Sequence, residues 1–458
     1  MSNTENLSVI ILAAGKGTRM NSSIPKVLHE LAGKPLLRQV VDVAKSLNPR
    51  KICVVYGHGG EMVPKALDDD DALQFVLQEP QLGTGHAVQM AMPCLDGKGR
   101  TLVLYGDVPL IKPDTLHHLL ESGAGLSLLT MELENPHGYG RIVRNDDGDI
   151  VGIVEEKDAT EAQRGIREVN TGVLVCPTAQ LKSWLSELKN ENAQKEYYLT
   201  DIVGIAASEG EMIHSASPGR QWEVMGVNDK IQLAELERVF QMERAVELMR
   251  SGTSLADPSR FDLRGSLSCG RDVIIDVNCL FEGSVKLGSK VKIGANSVLK
   301  NVEVMDGAEI APFCHIEDAV IGQNCRIGPY ARIRPGTQLG EGVHIGNFVE
   351  VKNSRIAEKS KANHLSYVGD ATVGKNVNIG AGTITCNYDG ANKHRTIIED
   401  DAFIGSDTQL IAPVTVGKGA TIGAGSTIVR NTPEGGLTLS RAKQVHIEYW
   451  KRPVKKKD

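Results

Sequence analysis

In the C-terminal half of this sequence, an apolar residue returns at every sixth position. The series comprises Ile321, Ile327, Ile333, Leu339, Ile345 and Val351, and it resumes at Ile404, Leu410, Val416, Ile422 and Ile428. A helix repeats every 3.6 residues and a strand every two, so neither alone has a period of six. A parallel β-helix has that period, because each hexapeptide forms one short face of a coil and its aliphatic side chain points inward. The spacing therefore predicts stacked coils that bury one continuous apolar ladder.

A polar segment, residues 385–397, interrupts the ladder. It reads Thr-Cys-Asn-Tyr-Asp-Gly-Ala-Asn-Lys-His-Arg-Thr-Ile, which is a polar excursion from an otherwise strict scaffold. Since three hexapeptides return to the same face, we expect this segment to form a loop near His364 in coil register.

Length, net charge and cysteine content limit the classes of protein to which this sequence can belong. A chain of 458 residues is too long for one ordinary core and predicts two or three domains. The formal charge of −6 and the pI near 6.1 argue against nucleic acid as the main partner. The eight cysteines are scattered without a Cys-x-x-Cys pair, and the early apolar run at 9–14 is too short for a signal or membrane segment. We expect a cytoplasmic protein with reduced thiols and no membrane contact.

Residues 1–228 have the pattern of an α/β domain. Apolar strands are predicted at 8–12, 52–56 and 101–105, with a helix at 36–47 between the first two. Uninterrupted apolar strands that alternate with helices predict a mostly parallel sheet covered on both faces.

The second half of the chain is predicted to form a domain of its own after a linker helix. A helical pattern at 229–250 is interpreted as a linker, which Gly252 and Pro258 end. The β-helix domain is predicted at 251–458, with hexapeptide spacing from about Val273 and a basic C-terminal tail.

The segment Leu12-Ala-Ala-Gly-Lys-Gly-Thr-Arg-Met20 directly follows the first predicted strand. A glycine turn entering a helix presents consecutive N–H groups to a phosphate. A dinucleotide fingerprint needs a third glycine where Met20 stands, and a Walker loop is absent. Arg19 and Lys26 add two cations, so a phosphate site is favoured over a plain turn.

These residues resemble the sugar-1-phosphate nucleotidyltransferases, which have a Rossmann-like α/β domain. Residues 78–84 resemble the stretch that reads a uracil base, and Asp107 follows a strand, where ligands bind in open α/β sheets. The resemblance implies that Asp107 and Asn228 hold Mg²⁺. It also implies contacts with UTP or the UDP-sugar by Leu12, Ala13, Ala14, Gly15, Lys26, Gln78, Gly83, Thr84, Tyr105, Gly106, Asp107, Gly140, Glu155, Asn170 and Asn228.

The implied reaction needs no covalent nucleophile. A sugar 1-phosphate attacks the α-phosphorus of UTP in line, and pyrophosphate leaves. Lys26 and Arg19 are the implied catalytic cations, which stabilise charge on the triphosphate and the leaving group.

Large polar residues stand out in the hexapeptide region, where small residues are usual. They are Arg334, Lys352, His364, Tyr367, Asn378, Asn387 and Tyr388. The unperturbed pKa of histidine, about 6.5, suits removal of a proton from an amine. Hexapeptide β-helices carry acyltransferases but also serve as assembly modules, so the fold alone does not decide between these roles.

Over nearly its whole length the chain resembles the bacterial bifunctional N-acetylglucosamine-1-phosphate uridyltransferases and glucosamine-1-phosphate N-acetyltransferases. The resemblance implies a left-handed β-helix, a homotrimer with acetyl sites between subunits, and a product that feeds peptidoglycan and lipopolysaccharide synthesis. His364 is the implied general base toward acetyl-CoA. Arg334, Lys352, Tyr367 and Asn378 are implied to bind glucosamine 1-phosphate. The implied acetyl-CoA contacts are Ala381, Asn387, Tyr388, Ser406, Ala424 and Arg441.

Two alternatives remain at this stage. One is a single-activity sugar-1-phosphate nucleotidyltransferase with a structural β-helix, and the other is a non-catalytic sugar-nucleotide sensor. The polar cluster and the loop argue against the first, and the retained Arg19, Lys26 and Asp107 argue against the second. Cys386 is equally compatible with a reactive thiol and a buried inert one.

Overall fold

The structure is a computed structural model that describes residues 6–455, so the last residues of the predicted basic tail, 456–458, lie outside the described residues. The chain divides into two compact units between Phe240 and Gln241. This division falls within the helix Lys230–Arg250, close to the helix predicted at 229–250. No helix in the described range is long and apolar enough to cross a membrane.

The first unit is built on a nine-stranded, mostly parallel sheet. The strand Leu7–Ala13 lies between Lys51–Tyr56 and Arg100–Tyr105 and is parallel to both. Glu168–Pro177 is antiparallel to Arg100–Tyr105, which makes the sheet mixed on that side. The other strands of the sheet are Leu73–Leu77, Ser127–Glu132, Arg141–Arg144, Ile150–Val154 and His214–Ala216, and Glu30–Leu31 and Lys34–Pro35 form a separate hairpin.

Helices cover both faces of this sheet. One core packs Leu37, Val40 and Val41 against one face, and the other packs Val88, Leu181 and Trp184 against the opposite face. The two-sided burial explains the uninterrupted apolar strands and confirms the predicted α/β fold. The helices before the division are Leu36–Ser46, Met62–Lys65, Thr84–Ala91, Pro113–Glu121, Glu161–Arg164, Thr178–Ser186 and Asp201–Ser208.

The glycine turn differs from the prediction in one respect. It leads into a single 3₁₀ turn, Thr18–Met20, and not into an α-helix. Asn21 ends that turn with φ of 47°, and Pro25 follows shortly, so the chain cannot continue as a regular helix there. A second 3₁₀ turn, Lys26–Leu28, comes next.

The second unit is a left-handed parallel β-helix with three faces. Its first face stacks eleven short strands. They are Ser254–Leu255, Ile274–Ile275, Lys292–Ile293, Glu309–Ile310, Arg326–Ile327, His344–Asn347, Lys361–His364, Asn378–Ile379, Phe403–Ile404, Thr421–Ile422 and Leu437–Thr438.

The other two faces begin with four longer strands that each bend round a corner. These are Phe261–Cys269, Cys279–Leu287, Val298–Val304 and His315–Ile321. Beyond them the second face continues with Arg332–Ile333, Glu350–Lys352, Tyr367–Gly369, Ile384–Cys386, Gln409–Ile411 and Thr427–Ile428. The third continues with Thr337–Leu339, Arg355–Ile356, Ala371–Val373, Thr396–Ile398 and Val414–Val416.

The apolar ladder is buried as predicted. All eleven ladder residues are at most 4% exposed. Ile310 pairs with Ile327 and Ile327 with Ile345, so one coil takes 17 or 18 residues.

The β-helix starts earlier than predicted from the spacing. Ser254 pairs with Ile274 and Phe261 with Cys279, so the first coil precedes Val273. That coil contains the 3₁₀ turn Pro258–Arg260, which breaks the six-residue spacing and conceals the coil in the sequence.

The interrupting loop is shorter than the predicted 385–397. Thr385 is 1% exposed, pairs with Leu410 and occupies a ladder position. It can do so because its hydroxyl accepts a hydrogen bond from Gly369 N at 2.8 Å and lies 3.0 Å from Gly369 O, to which it donates. The excursion is 387–395, and the strand Thr396–Ile398 resumes the coil.

Candidate active sites

The carboxyl ends of parallel strands open onto a cavity of about 410 Å³ in the first unit. Ten residues of the predicted nucleotide site line it: Leu12, Ala13, Ala14, Gly15, Lys26, Gln78, Gly83, Thr84, Tyr105 and Asp107. Five further residues that the sequence did not single out complete the wall: Lys16, Val27, Gln81, Ala87 and Glu196.

Asp107 and Asn228 are brought together by the backbone. Val227 N donates to Asp107 O at 2.9 Å, and Val227 itself is fully buried. Asn228 N donates to Gln232 Oε1 at 2.8 Å, which fixes the residue at the start of the helix Lys230–Arg250. The two predicted metal ligands are thus neighbours, although only Asp107 lines the cavity.

Lys26 lies between these two side chains. Its ammonium forms an ion pair with Asp107 Oδ2 and donates to Asn228 Oδ1 at 3.2 Å. The Lys26 side chain is 12% exposed. Gly17, with φ of 57°, allows this position, because a Cβ there would lie 2.6 Å from the Cβ of Lys26.

The start of the helix Thr84–Ala91 closes another side of the cavity. Gln78 Nε2 donates to Gly83 O at 2.9 Å, and Leu199 N donates to Thr84 Oγ1 at 3.0 Å. Gly83 has φ of 110°, and a Cβ there would lie 2.6 Å from Tyr197 O, so only glycine fits.

Three of the predicted UDP-sugar contacts, Gly140, Glu155 and Asn170, form a neighbouring group. Asn170 N donates to Gly140 O at 2.8 Å, and a Cβ on Gly140 would lie 3.4 Å from the Glu155 carboxylate. Burial raises the pKa of Glu155, although a hydrogen bond from Thr200 at 3.0 Å opposes the shift.

Tyr105 connects this group with the cavity. Burial raises the pKa of its phenol, and the charges of Glu155 and Asp107 add to the shift, so both carboxylates lie near its ring. Gly172, with φ of 88°, leaves the space that the ring fills, since a Cβ there would lie 2.5 Å from Tyr105 Cε2.

Arg19 and Gly106 are not part of the cavity wall. Arg19 is exposed on the 3₁₀ turn Thr18–Met20 and makes no hydrogen bond or ion pair within residues 6–455. Gly106 is buried behind the wall, where its N–H donates to Leu12 O at 2.9 Å.

In the second unit, cations gather on the second face of the β-helix. The pairing of Arg332 with Glu350 and of Lys352 with Gly369 places Arg334 and Lys352 at the same position on successive coils. On the next coil Gly369 leaves room for the Tyr367 hydroxyl, which lies 2.3 Å from where a Cβ would be. Arg334 also donates to Glu350 at 2.7 Å.

The loop 387–395 lies against this cluster. Lys393 lies close to Lys352, and hydrogen bonding to Lys352 together with its positive charge lowers the pKa of Lys393. Asn387 Nδ2 donates to the Tyr367 hydroxyl at 3.4 Å and to the buried carboxylate of Asp370. Asn387, predicted as an acetyl-CoA contact, thus has its side chain among the predicted sugar-phosphate residues.

His364 lies on the adjacent face, three residues before Tyr367. Its imidazole is exposed, and Nδ1 lies 3.0 Å from Asn347 Oδ1, its register partner on the preceding coil. An amide oxygen only accepts, so Nδ1 donates this bond, and in the neutral imidazole Nε2 then has the free lone pair.

Three predicted acetyl-CoA residues continue the His364 position along the β-helix. The pairing of Ala362 with Ile379 sets Ala381 above His364. Asp407 N then donates to Ala381 O at 2.7 Å, and Gly425 N to Ser406 O at 2.8 Å, which sets Ser406 and Ala424 on the following coils. We call His364, Ala381, Ser406 and Ala424 the axial column.

The remaining predicted residues lie around these groups. Arg441 runs beside the end of the axial column, with its Cδ 3.6 Å from a Cβ position on Gly425. Asn378 pairs with Lys361 on the first face, apart from the cation cluster on the second. Tyr388 is exposed on the loop and donates to Gly390 O at 2.6 Å.

Comparison with known proteins shows close similarity along the whole chain. The bifunctional protein GlmU of Ralstonia nicotianae is 61% identical over 453 residues, which cover 98% of this chain and 99% of that protein. The proteins of the same name from Nitrosospira multiformis and Nitrosomonas eutropha are 61% and 60% identical, each covering at least 98% of both chains.

This chain belongs to the family of bifunctional GlmU proteins.

Three domain models match parts of the chain. The MobA-like NTP transferase domain matches residues 9–141, and the bacterial transferase hexapeptide (six repeats) matches 395–430. The GMPPB C-terminal domain matches 263–345. The chain therefore combines a nucleotidyltransferase domain with hexapeptide repeats, as the sequence predicted.

Sequence reasoning missed three residues of the β-helix sites: Asn347, Asp370 and Lys393. Asn347 could have been found, since it lies one coil of 17 residues before His364. Asp370 and Lys393 carry no such signal, because their positions depend on how the loop 387–395 folds.

Proposed function

We propose that the two units divide the two transfers that lead to UDP-N-acetylglucosamine. The second unit transfers acetyl from acetyl-CoA to glucosamine 1-phosphate. The first unit then transfers uridyl from UTP to N-acetylglucosamine 1-phosphate and releases pyrophosphate. The observation that carries the proposal is that each unit holds its own reactive cluster, Lys26–Asp107–Asn228 in one and His364 with the cation cluster in the other.

For uridyl transfer, the cavity would hold the triphosphate against the glycine turn at Gly15. The sugar phosphate oxygen attacks the α-phosphorus of UTP, and the bond to the pyrophosphate oxygen breaks. Lys26 and the exposed Arg19, which extends from the same turn, would stabilise the charge on the phosphates. Glu155 and Asn170 would hold the sugar.

Asp107 and Asn228 fit a magnesium ion. A carboxylate and an amide oxygen are hard donors that Mg²⁺ prefers, and both contact the same point, the ammonium of Lys26. Within residues 6–455 no cluster of three or more His, Cys, Asp or Glu side chains could hold a metal, so phosphate oxygens and waters would complete the shell. When bound, Mg²⁺ neutralises phosphate charge and orients the triphosphate.

For acetyl transfer, His364 would be the general base. The amine nitrogen of glucosamine 1-phosphate attacks the thioester carbonyl of acetyl-CoA, its proton passes to His364 Nε2, and the thiolate of coenzyme A leaves. Asn347 holds the tautomer that leaves Nε2 free.

The cation cluster would bind the phosphate of the amino sugar. Arg334, Lys352 and Lys393 bring positive charge to the surroundings of Tyr367, and two neighbouring lysines repel each other unless an anion joins them. A purely structural β-helix has no use for such an arrangement, which disfavours the single-activity alternative.

The axial column would receive acetyl-CoA. Ala381 and Ala424 are small and leave a shallow track along the coils from His364 toward Arg441, which would meet a phosphate of the cofactor. A homotrimer, in which a neighbouring copy covers this track, agrees with the exposure of His364 and Tyr388.

Two assays test the proposal. Thiol release from acetyl-CoA should require glucosamine 1-phosphate, and pyrophosphate release from UTP should require N-acetylglucosamine 1-phosphate and Mg²⁺. Absence of thiol release would leave only the nucleotidyltransferase, and absence of both would leave a non-catalytic protein.

A further inference from the structure

We propose that Lys26 occupies the metal site of the nucleotide-free protein and keeps Mg²⁺ out until a nucleotide arrives. This inference rests on the proposed function, because it takes Asp107 and Asn228 as the metal ligands. It assigns Lys26 a second role, which precedes its contact with the triphosphate.

The Lys26 ammonium lies where the Mg²⁺ ion is expected to bind. The Lys26 ammonium contacts Asp107 Oδ2 and lies 3.2 Å from Asn228 Oδ1, the two protein oxygens that fit the metal. An ammonium and a divalent ion that share both oxygens compete for the same lone pairs. They also repel each other in a site that is largely shielded from water. Metal binding therefore requires Lys26 to move away.

The side chain is able to move without a change of backbone. Lysine has a flexible four-carbon stem, and the ammonium keeps its charge wherever it goes. The cavity beside it is lined by the glycine turn at Gly15, so phosphates bound there offer Lys26 a new anionic partner. A free metal ion must displace Lys26 without compensation, whereas a metal–nucleotide complex supplies that partner.

The consequence is an order of binding. The free protein should bind Mg²⁺ weakly, and the metal should enter together with UTP. Removal of the Lys26 charge should create a site that binds metal in the absence of nucleotide.

Mn²⁺ binding to the full-length, nucleotide-free protein, followed by electron paramagnetic resonance, tests this directly. Lys26→Met keeps most of the apolar stem and removes the charge, and it should bind Mn²⁺ at least about tenfold more tightly than the unaltered protein. Lys26→Gln should behave similarly, which guards against a folding defect in one variant. The same titration with Mg²⁺ by calorimetry should give the same ranking.

Lys16→Met is the matched control. Lys16 lines the same cavity, but it makes no hydrogen bond or ion pair with Asp107 or Asn228 within residues 6–455. Its loss removes one positive charge from the cavity and should change Mn²⁺ affinity less than about threefold. The double variant Lys26→Met/Asp107→Asn should lose the tight site.

Three results would overturn the proposal: unchanged affinity in both folded Lys26 variants, an equal gain in Lys16→Met, or tight binding that survives Asp107→Asn. None of them bears on pyrophosphate release from UTP by the unaltered protein. Failure of this inference is therefore distinguishable from failure of the proposed function.

Discussion

The buried carboxylate of Asp370 anchors the start of the loop 387–395, and Asp370→Asn should therefore loosen it. Asp370 is 6% exposed and accepts hydrogen bonds from the side-chain amides of Asn353 and Asn387. An asparagine at position 370 still offers one oxygen to either Asn353 or Asn387. Its own NH₂ group then faces the NH₂ group of the other asparagine. One bond to a charged acceptor is lost while its donor stays buried.

The magnitude follows from that lost bond. A hydrogen bond to a charged group contributes about 1.5–3 kcal/mol net. The free energy of opening the loop should fall by this amount, which corresponds to a roughly 10- to 150-fold larger open population. Acetyl transfer should fall as well, since Asn387 and Lys393 then leave the phosphate site. Pyrophosphate release should not change, because its residues belong to the other unit.

Amide hydrogen exchange measures the effect at individual positions. The His394 amide, which donates to Asn387 O at 2.8 Å, should lose protection in Asp370→Asn. The Gly328 amide, which donates to Ile345 O at 2.7 Å, lies on an earlier coil and should not respond. Unchanged protection at His394 would refute the view that Asp370 anchors the loop.

The stability that Asp370 gives to the loop 387–395 should be lost at low pH. Burial raises the pKa of Asp370, but the amides of Asn353 and Asn387 and the charges of Lys352 and Lys393 outweigh it, so the pKa lies below its ordinary value. A depressed pKa stabilises the folded state above the unfolded pKa of about 3.9, and the contribution is lost as pH falls through the lower folded value. Corrected for intrinsic exchange, loop protection should therefore drop below about pH 4 in the unaltered protein and not in Asp370→Asn.

Three further substitutions test the account elsewhere. Gly17→Ala should impair uridyl transfer while acetyl transfer persists, because the new Cβ meets the stem of Lys26; equal rates in the pyrophosphate assay would contradict this. Ile345→Ala, in the middle of the ladder, should destabilise the β-helix by about 2–5 kcal/mol in urea unfolding, against about 0.5–1.5 kcal/mol for Ile345→Val. Asn347→Leu should lower kcat of acetyl transfer about 10- to 100-fold. Asn347→Asp still accepts from Nδ1–H and should keep most of kcat, but its carboxylate should move the pH profile upward because it favours the imidazolium. A kcat unchanged by leucine would exclude a role in positioning His364.

The β-helix could be predicted from the sequence wherever the six-residue spacing of apolar residues holds. The six-residue spacing identified eleven ladder residues, all of which are buried, because compact apolar side chains fill these inward positions of the β-helix. The rule failed at Thr385, where a hydroxyl bonded to Gly369 makes a polar residue compatible with the ladder. It also failed before Val273, where the longer spacing between Ser254 and its partner Ile274 hides the period.

The candidate sites could be predicted from the sequence only in part. The resemblance supplied Asp107 and Asn228, and the structure shows how the backbone of Val227 joins them across the sequence. The position of Lys26 between them depends on side-chain geometry, and that of Lys393 on a loop without a repeat. Neither has a signature in the order of residues.

The central claim is that two independent sites in one chain perform consecutive transfers, and Asp107→Ala and His364→Ala test it most directly. Each folded variant is supplied with glucosamine 1-phosphate, acetyl-CoA, UTP and Mg²⁺, and thiol, pyrophosphate and UDP-N-acetylglucosamine are measured together. Asp107→Ala should release thiol and accumulate N-acetylglucosamine 1-phosphate without pyrophosphate. His364→Ala should release neither product until N-acetylglucosamine 1-phosphate is added, which should restore pyrophosphate release alone. Loss of both activities in either folded variant would contradict the assignment of one reaction to each unit.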